Sequence, residues 1–117
     1  MSINYGTHFL VELVGCDPER IKYVQNVRPI LLNAAQNCGA KILANHFHQF
    51  EPFGVTGIIL IAESHFALHT FPETGYVAFD ILTCGEMDAM AAINEVRVNI
   101  NAGKIKVRKF IRGLDEE

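Results

Sequence analysis

Residues 55–62, Val-Thr-Gly-Ile-Ile-Leu-Ile-Ala, are almost continuously apolar, and this stretch narrows the choice of folds more than any other. It is far shorter than the roughly 18 residues a membrane span requires. It also lacks the alternation of a strand with one wet face, so it reads as a strand that must be covered on both sides. In a chain of 117 residues, two helices can cover one face of a sheet. A second copy of the sheet is the simplest cover for the other face, so a homodimer is expected.

The flanking sequence supplies the rest of a single domain, residues 1–117. Residues 7–15 read as a first strand, with Phe9, Val11 and Leu13 on one face at period two. Ile21, Val24, Val27, Leu31, Ala34 and Cys38 recur at helical spacing, but Pro29 sits inside that pattern, where it would remove a hydrogen bond. A short turn over Pro18–Tyr23 and a helix starting near Asn26 relieve the conflict. Asn26 would cap the helix, Pro29 would fall in the first turn, and Gly39 would be a left-handed stop. Residues 40–50, 55–62, 65–71 and 75–82 read as strands, with a turn over Phe71-Pro-Glu-Thr-Gly75. A second helix over Met87–Asn101 stops at Gly103, and residues 104–111 read as the last strand. Short connections make neighbouring strands antiparallel. The predicted class is α+β: a two-layer sandwich with two helices on one face of a mostly antiparallel sheet.

Composition removes several function classes. Ten basic residues against 13 acidic ones give a net charge of −3, which argues against nucleic acid as a partner. The basic stretch Lys104–Lys109 alternates with apolar residues, as the solvated face of a strand does. No signal peptide or membrane segment is expected. Three cysteines without CxxC spacing suggest neither a disulfide framework nor a zinc site, and hence a reduced, cytoplasmic protein.

Reactive residue types crowd into the middle of the chain: Glu63-Ser-His65, His69-Thr-Phe-Pro-Glu73 and Thr83-Cys-Gly85. Taken singly, each is as easily a turn serine, a structural histidine or a small core cysteine. Together with Gly54-Val-Thr-Gly57, and starting from Gly6-Thr-His8, they resemble the prokaryotic S-adenosylmethionine decarboxylases in order and spacing over nearly the whole chain. The resemblance implies a proenzyme that cuts its own Glu63–Ser64 bond into a β chain, residues 1–63, and an α chain, residues 64–117. Ser64 would be the nucleophile, aided by the Thr56 hydroxyl, and His69 the base that eliminates the resulting ester. What remains of Ser64 would be a pyruvoyl cofactor, forming a Schiff base with the substrate amine. Cys84 would return a proton to the product. By the same resemblance Phe50 and Phe71 would hold adenine and Glu73 the ribose, and decarboxylated S-adenosylmethionine would serve spermidine synthesis without any metal. Two positions depart from the family pattern: Phe71 stands where bacterial members commonly have Trp, and Thr56 where Ser is usual.

Other readings use the same residues. Related pyruvoyl enzymes decarboxylate arginine or ornithine, which carry no adenine to stack. A metal-binding protein could use His46, His48, His65 and His69, since alternating histidines on a strand point the same way. An inactive partner subunit would have no use for Glu63, Ser64, His69 and Cys84 together.

Overall fold

The computed structural model describes residues 2–62, 64–84 and 87–115. In chain order the elements are β1 (Ser2–Val14), α1 (Pro18–Ile21), α2 (Val24–Asn37), β2 (Ile42–Gln49), β3 (Val55–Ile61), β4 (Ser64–Phe71), β5 (Tyr76–Thr83), α3 (Ala89–Asn99) and β6 (Lys104–Asp115). The strands form one sheet in the order β2-β3-β4-β5-β1-β6, and every pairing is antiparallel. This is the predicted two-layer sandwich with one short helix more than expected.

Strand parity builds the core. Phe9, Val11 and Leu13 of β1, Phe66 and Leu68 of β4, and Val77, Phe79 and Ile81 of β5 all point to the helix side and are buried. There they meet Val27, Leu31, Ala34 and Ala35 of α2 and Ala92, Ile93 and Val96 of α3. Each fully buried Leu, Ile or Phe contributes about 1.5–3 kcal/mol of transfer free energy. Among the described residues the opposite face carries no such layer. Ile58 and Leu60 of β3, from the stretch expected to need cover on both sides, are 43% and 50% exposed.

Several boundaries differ from the sequence reading, each for a local reason. The turn after β1 is helical: Asp17 caps α1 by accepting from the Glu19 N–H at 3.0 Å. Helix α2 begins at Val24 rather than Asn26, because its first amide is capped from a distance, by Gln49 Oε1 at 2.7 Å from Val24 N. Pro29 therefore lies inside the helix, on its exposed side, where a released carbonyl can be hydrated. Gly39 is left-handed, as expected, but α3 ends through Asn101, at φ 55°, and not through Gly103. Strands β1 and β6 run longer than expected because they pair with each other from Ser2↔Asp115 to Val14↔Lys104.

Candidate active site

The reactive residues fall at the two ends of one strand. β4 starts with Ser64, carries His69 near its far end and finishes with Phe71. At the first end, Ser64 is registered with Ile61 of β3, and β5 leads through Thr83 to Cys84. The Cys84 N–H donates to Ser64 Oγ at 3.2 Å, and Cys84 Sγ lies 3.7 Å from the same oxygen. Strand β1 passes close by because Gly6 has no side chain; a Cβ there would stand 2.9 Å from the Thr83 carbonyl oxygen and 3.5 Å from Cys84 Cβ. A nucleophilic hydroxyl, a backbone donor and a thiol thus share one small volume. Glu63, on the other side of the expected scissile bond, lies outside the described residues, as does Gly85.

At the far end, the β3–β4 register sets Thr56 opposite His69, with Thr56 Oγ1 3.0 Å from His69 Nδ1. Beside them is a cavity of about 290 Å³ lined by Phe50, Phe53, Thr56, His69, Phe71 and Glu73. Its wall is the β2–β3 loop, whose shape is held by polar groups rather than packing. Gln49 Nε2 donates to the carbonyls of Lys22, Phe50 and Gly54, and the Gly54 N–H donates to Lys22 at 2.9 Å. Buried Thr70 accepts from the Val55 N–H at 2.9 Å and donates to the Ile21 carbonyl at 2.8 Å. Those bonds tie the loop to the end of α1 and to β4, which holds its shape. On the β5 side the Phe71 ring lies 5.6 Å from Tyr76, whose hydroxyl donates to Glu12, itself 3.4 Å from Arg108. The Glu12 hydrogen bond, then burial, raise the Tyr76 pKa above its usual 10.0.

Phe50, Thr56, His69, Phe71 and Glu73 therefore come together, and so do Ser64 and Cys84, but the two groups do not meet. Ser64 and His69 are five residues apart on an extended strand, about 16 Å at ~3.3 Å per residue. Their odd separation also turns them to opposite faces, His69 to the open face and Ser64 to the helix side. The proposed four-histidine metal set is not gathered either. His48 meets Phe50 edge to face, His69 meets Thr56, and His65 bonds Asp80. Among the described residues the side chains grouped as metal ligands would be are His8, His65 and Asp80. Sequence reading missed this cluster, although an aspartate inside the apolar run Val77–Leu82 was a visible sign of a polar network.

Comparison with known proteins gives the family of the chain. The family model for S-adenosylmethionine decarboxylase matches residues 7–113. A relative named S-adenosylmethionine decarboxylase proenzyme from Thermodesulfovibrio yellowstonii is 49% identical over 81 residues, covering 69% of this chain and 60% of that one. A relative of the same name from Syntrophomonas wolfei is 43% identical over 113 residues, covering 96% and 90%. The crystal structure of the adenosylmethionine decarboxylase from Aquifex aeolicus superposes with a TM-score of 0.89 at 33% identity, covering 97% of this chain and 95% of that one. On profile, identity and fold alike, this chain belongs to the S-adenosylmethionine decarboxylase family.

Proposed function

We propose that the protein is a carboxy-lyase that cuts itself between Glu63 and Ser64, and that the mature enzyme decarboxylates S-adenosylmethionine. The observation that carries this reading is the placement of Ser64 Oγ, 3.2 Å from the Cys84 amide nitrogen and 3.7 Å from its sulfur, in a chain of this family.

The chemistry balances on the chain's own atoms. Ser64 Oγ bonds to the Glu63 carbonyl carbon, the amide C–N bond breaks, and its nitrogen takes the hydroxyl proton, leaving an ester. A base removes the Cα proton of residue 64; that electron pair forms a Cα=Cβ bond as the Cβ–O bond breaks, releasing residues 1–63 with a terminal carboxylate. Water then displaces ammonia from the dehydro residue, leaving a pyruvoyl group at position 64. The surroundings fit such a group, since they hold a donor N–H and a thiol against the residue-64 side chain. Once formed, the pyruvoyl carbonyl supplies the electron sink that an α-amino acid needs to lose CO2. Cys84 holds a proton beside that carbon for the product. A reducing, cytoplasmic compartment keeps this thiol available.

His69, with its partner Thr56, is the base in this reading, although one chain leaves it about 16 Å from Ser64. A second copy resolves the gap. In this reading two open faces packed around a two-fold axis would cover Ile58 and Leu60, and would lay His69 of one copy over the backbone at residue 64 of the other, where the Cα proton is taken, while the Ser64 hydroxyl stays on the helix side. A homodimer would then serve the chemistry as well as cover the apolar face. The three phenylalanines of the cavity suit a flat heteroaromatic ring, and Glu73 the hydroxyls of a ribose, better than either suits arginine or ornithine.

Intact-mass measurement of freshly purified protein tests the proposal. Two pieces meeting at residues 63/64 are expected, the second lacking a free amine, and Ser64→Ala should remain one uncut, inactive chain. A single full-length mass from fully active protein would end this reading. Side-by-side turnover of S-adenosylmethionine, arginine and ornithine decides the substrate.

A further inference from the structure

We propose that Asp80 is a positioning residue, which ties the start of β4 to β5, β1 and β6 and so holds residue 64 in place once the chain has been cut next to it. The inference rests on self-cleavage at residues 63/64.

The network lies on the open face. Asp80 Oδ2 is 2.9 Å from His65 Nε2 and 2.8 Å from His8 Nε2, and the two imidazoles meet edge to face at 5.9 Å. Arg112 Nη1 stands 3.1 Å from His8 Nδ1. The register explains the meeting: His8 and His65 both sit opposite Leu82, from either side of β5, and Asp80 lies two residues along on the same face. Arg112 follows because β6 pairs with β1 around Gly6 and Thr7.

The proton positions follow from donor chemistry. A guanidinium has no acceptor, so His8 Nδ1 must accept from Arg112. The His8 proton is then on Nε2 and points at Asp80. His65 donates from its own Nε2 to the same oxygen, so one carboxylate oxygen receives two N–H groups from strands on either side of it. This assignment also disfavours a metal ion at the cluster as long as Arg112 stays on His8. A cation on His8 Nε2 would require a proton on Nδ1, and Arg112 offers that proton no acceptor.

Cleavage is what gives this clamp a task. Before the cut, residue 64 is held from both sides along the chain. Afterwards it is a terminus, and termini fray unless something ties them down. Residue 65 is the first residue of the new chain with a side chain of its own to anchor, and the bonds from His65 to Asp80, from Asp80 to His8 and from His8 to Arg112 spread that anchor over four strands. None of His8, His65, Asp80 and Arg112 lines the cavity formed by Phe50, Phe71 and Glu73, so loss of the network should affect turnover far more than substrate binding.

The test uses the full-length chain with Asp80→Asn, which keeps shape but loses the charge that holds both imidazoles. Cut protein is assayed on S-adenosylmethionine, and amide hydrogen exchange is followed by mass spectrometry. The expected result is a fall in kcat of about tenfold with KM within about twofold. Exchange should be faster at the first amides of the 64–117 chain and unchanged in the middle of β5. Equal kcat and equal exchange in cut wild type and cut variant would overturn the proposal, as would faster exchange throughout the sheet or a folded variant left uncut. Wild type that stays uncut would instead remove the self-cleavage reading, and this inference with it. Should Asp80→Asn not fold, His65→Gln and His65→Leu carry the same test. Gln, whose amide can reach Asp80, should keep most of kcat and Leu should lose it; equal values from the two would count against the clamp.

Discussion

Cys16, Cys38 and Cys84 are three thiols in three different settings. Burial pushes the Cys16 pKa up to about 11 from 9.0. Burial also raises Cys38, whose sulfur donates to the Ala35 carbonyl at 3.2 Å. Cys84 is exposed beside Ser64. Thiolate is the reacting form, and both buried thiols are protonated and shielded. Iodoacetamide at neutral pH should therefore label Cys84 in native protein and reach Cys16 and Cys38 only after denaturation; peptide mapping reads the order directly. Cys84→Ala should leave self-cleavage intact and lower kcat by about 10²-fold or more, the range for loss of a proton donor. The same shifts give a pH prediction whose sign is fixed. Cys16 and Tyr76 both have folded pKa values above their ordinary ones, so each favours the folded state while protonated. The Cys16 contribution is complete below pH 9.0, the ordinary thiol value, and is lost as pH rises through about 11; the Tyr76 contribution is complete below its ordinary 10.0 and is lost at higher pH. Tm measured across that window should fall, and Tyr76→Phe should fall less steeply because it has no phenol to ionise.

Gln49 shows at the level of elements why helix starts are hard to read from sequence. The apolar spacing of α2 was plain, but its first amide is satisfied by a side chain 25 residues further on. No local pattern carries that information, and Asn26 looked like the cap because asparagine commonly is one. Gln49→Ala should cost about 1–3 kcal/mol, since it removes a cap and leaves carbonyls of the cavity loop without donors. Asn26→Ala should change stability by less than about 0.5 kcal/mol. Urea unfolding decides between the two caps, by a shift in midpoint at constant slope. The strands were far more legible, because the alternation of Phe9-Val11-Leu13 is a property of the strand itself and is kept wherever that strand pairs. Their lengths were not legible: β1 and β6 extend to Ser2 and Asp115 only because each is the other's partner. Asn101 taking the left-handed position ahead of Gly103 is a similar case, a choice between two permissive residues that the path of β6 decides.

The whole molecule divides what its sequence presents as one site. Residue types and block order pointed to Ser64, His69 and Cys84, and the odd spacing of 64 and 69 on one strand already implied opposite faces. What no single chain could disclose is how the two ends are brought into contact, because a two-fold axis is written in no local pattern. The proposed second copy would cover the apolar face and join the proposed site, and that proposal can be tested without a structure of the dimer. Ser64→Ala removes the proposed nucleophile, and His69→Gln removes the proposed base while keeping a polar side chain of similar reach. Each variant alone should stay uncut. Expressed together with different tags, they should form mixed dimers in which an intact His69 from one chain faces an intact Ser64 from the other. In random pairing about half of the His69→Gln chains should then be cut and the Ser64→Ala chains not at all, because only one of the two composite sites in a mixed dimer is complete. Mass spectrometry of the two tagged chains reads this asymmetry. Cutting of His69→Gln on its own would remove His69 as the base. If mixed dimers form and neither chain is cut, each chain must complete its own site, and β4 would have to bend or slide to bring residue 64 to residue 69.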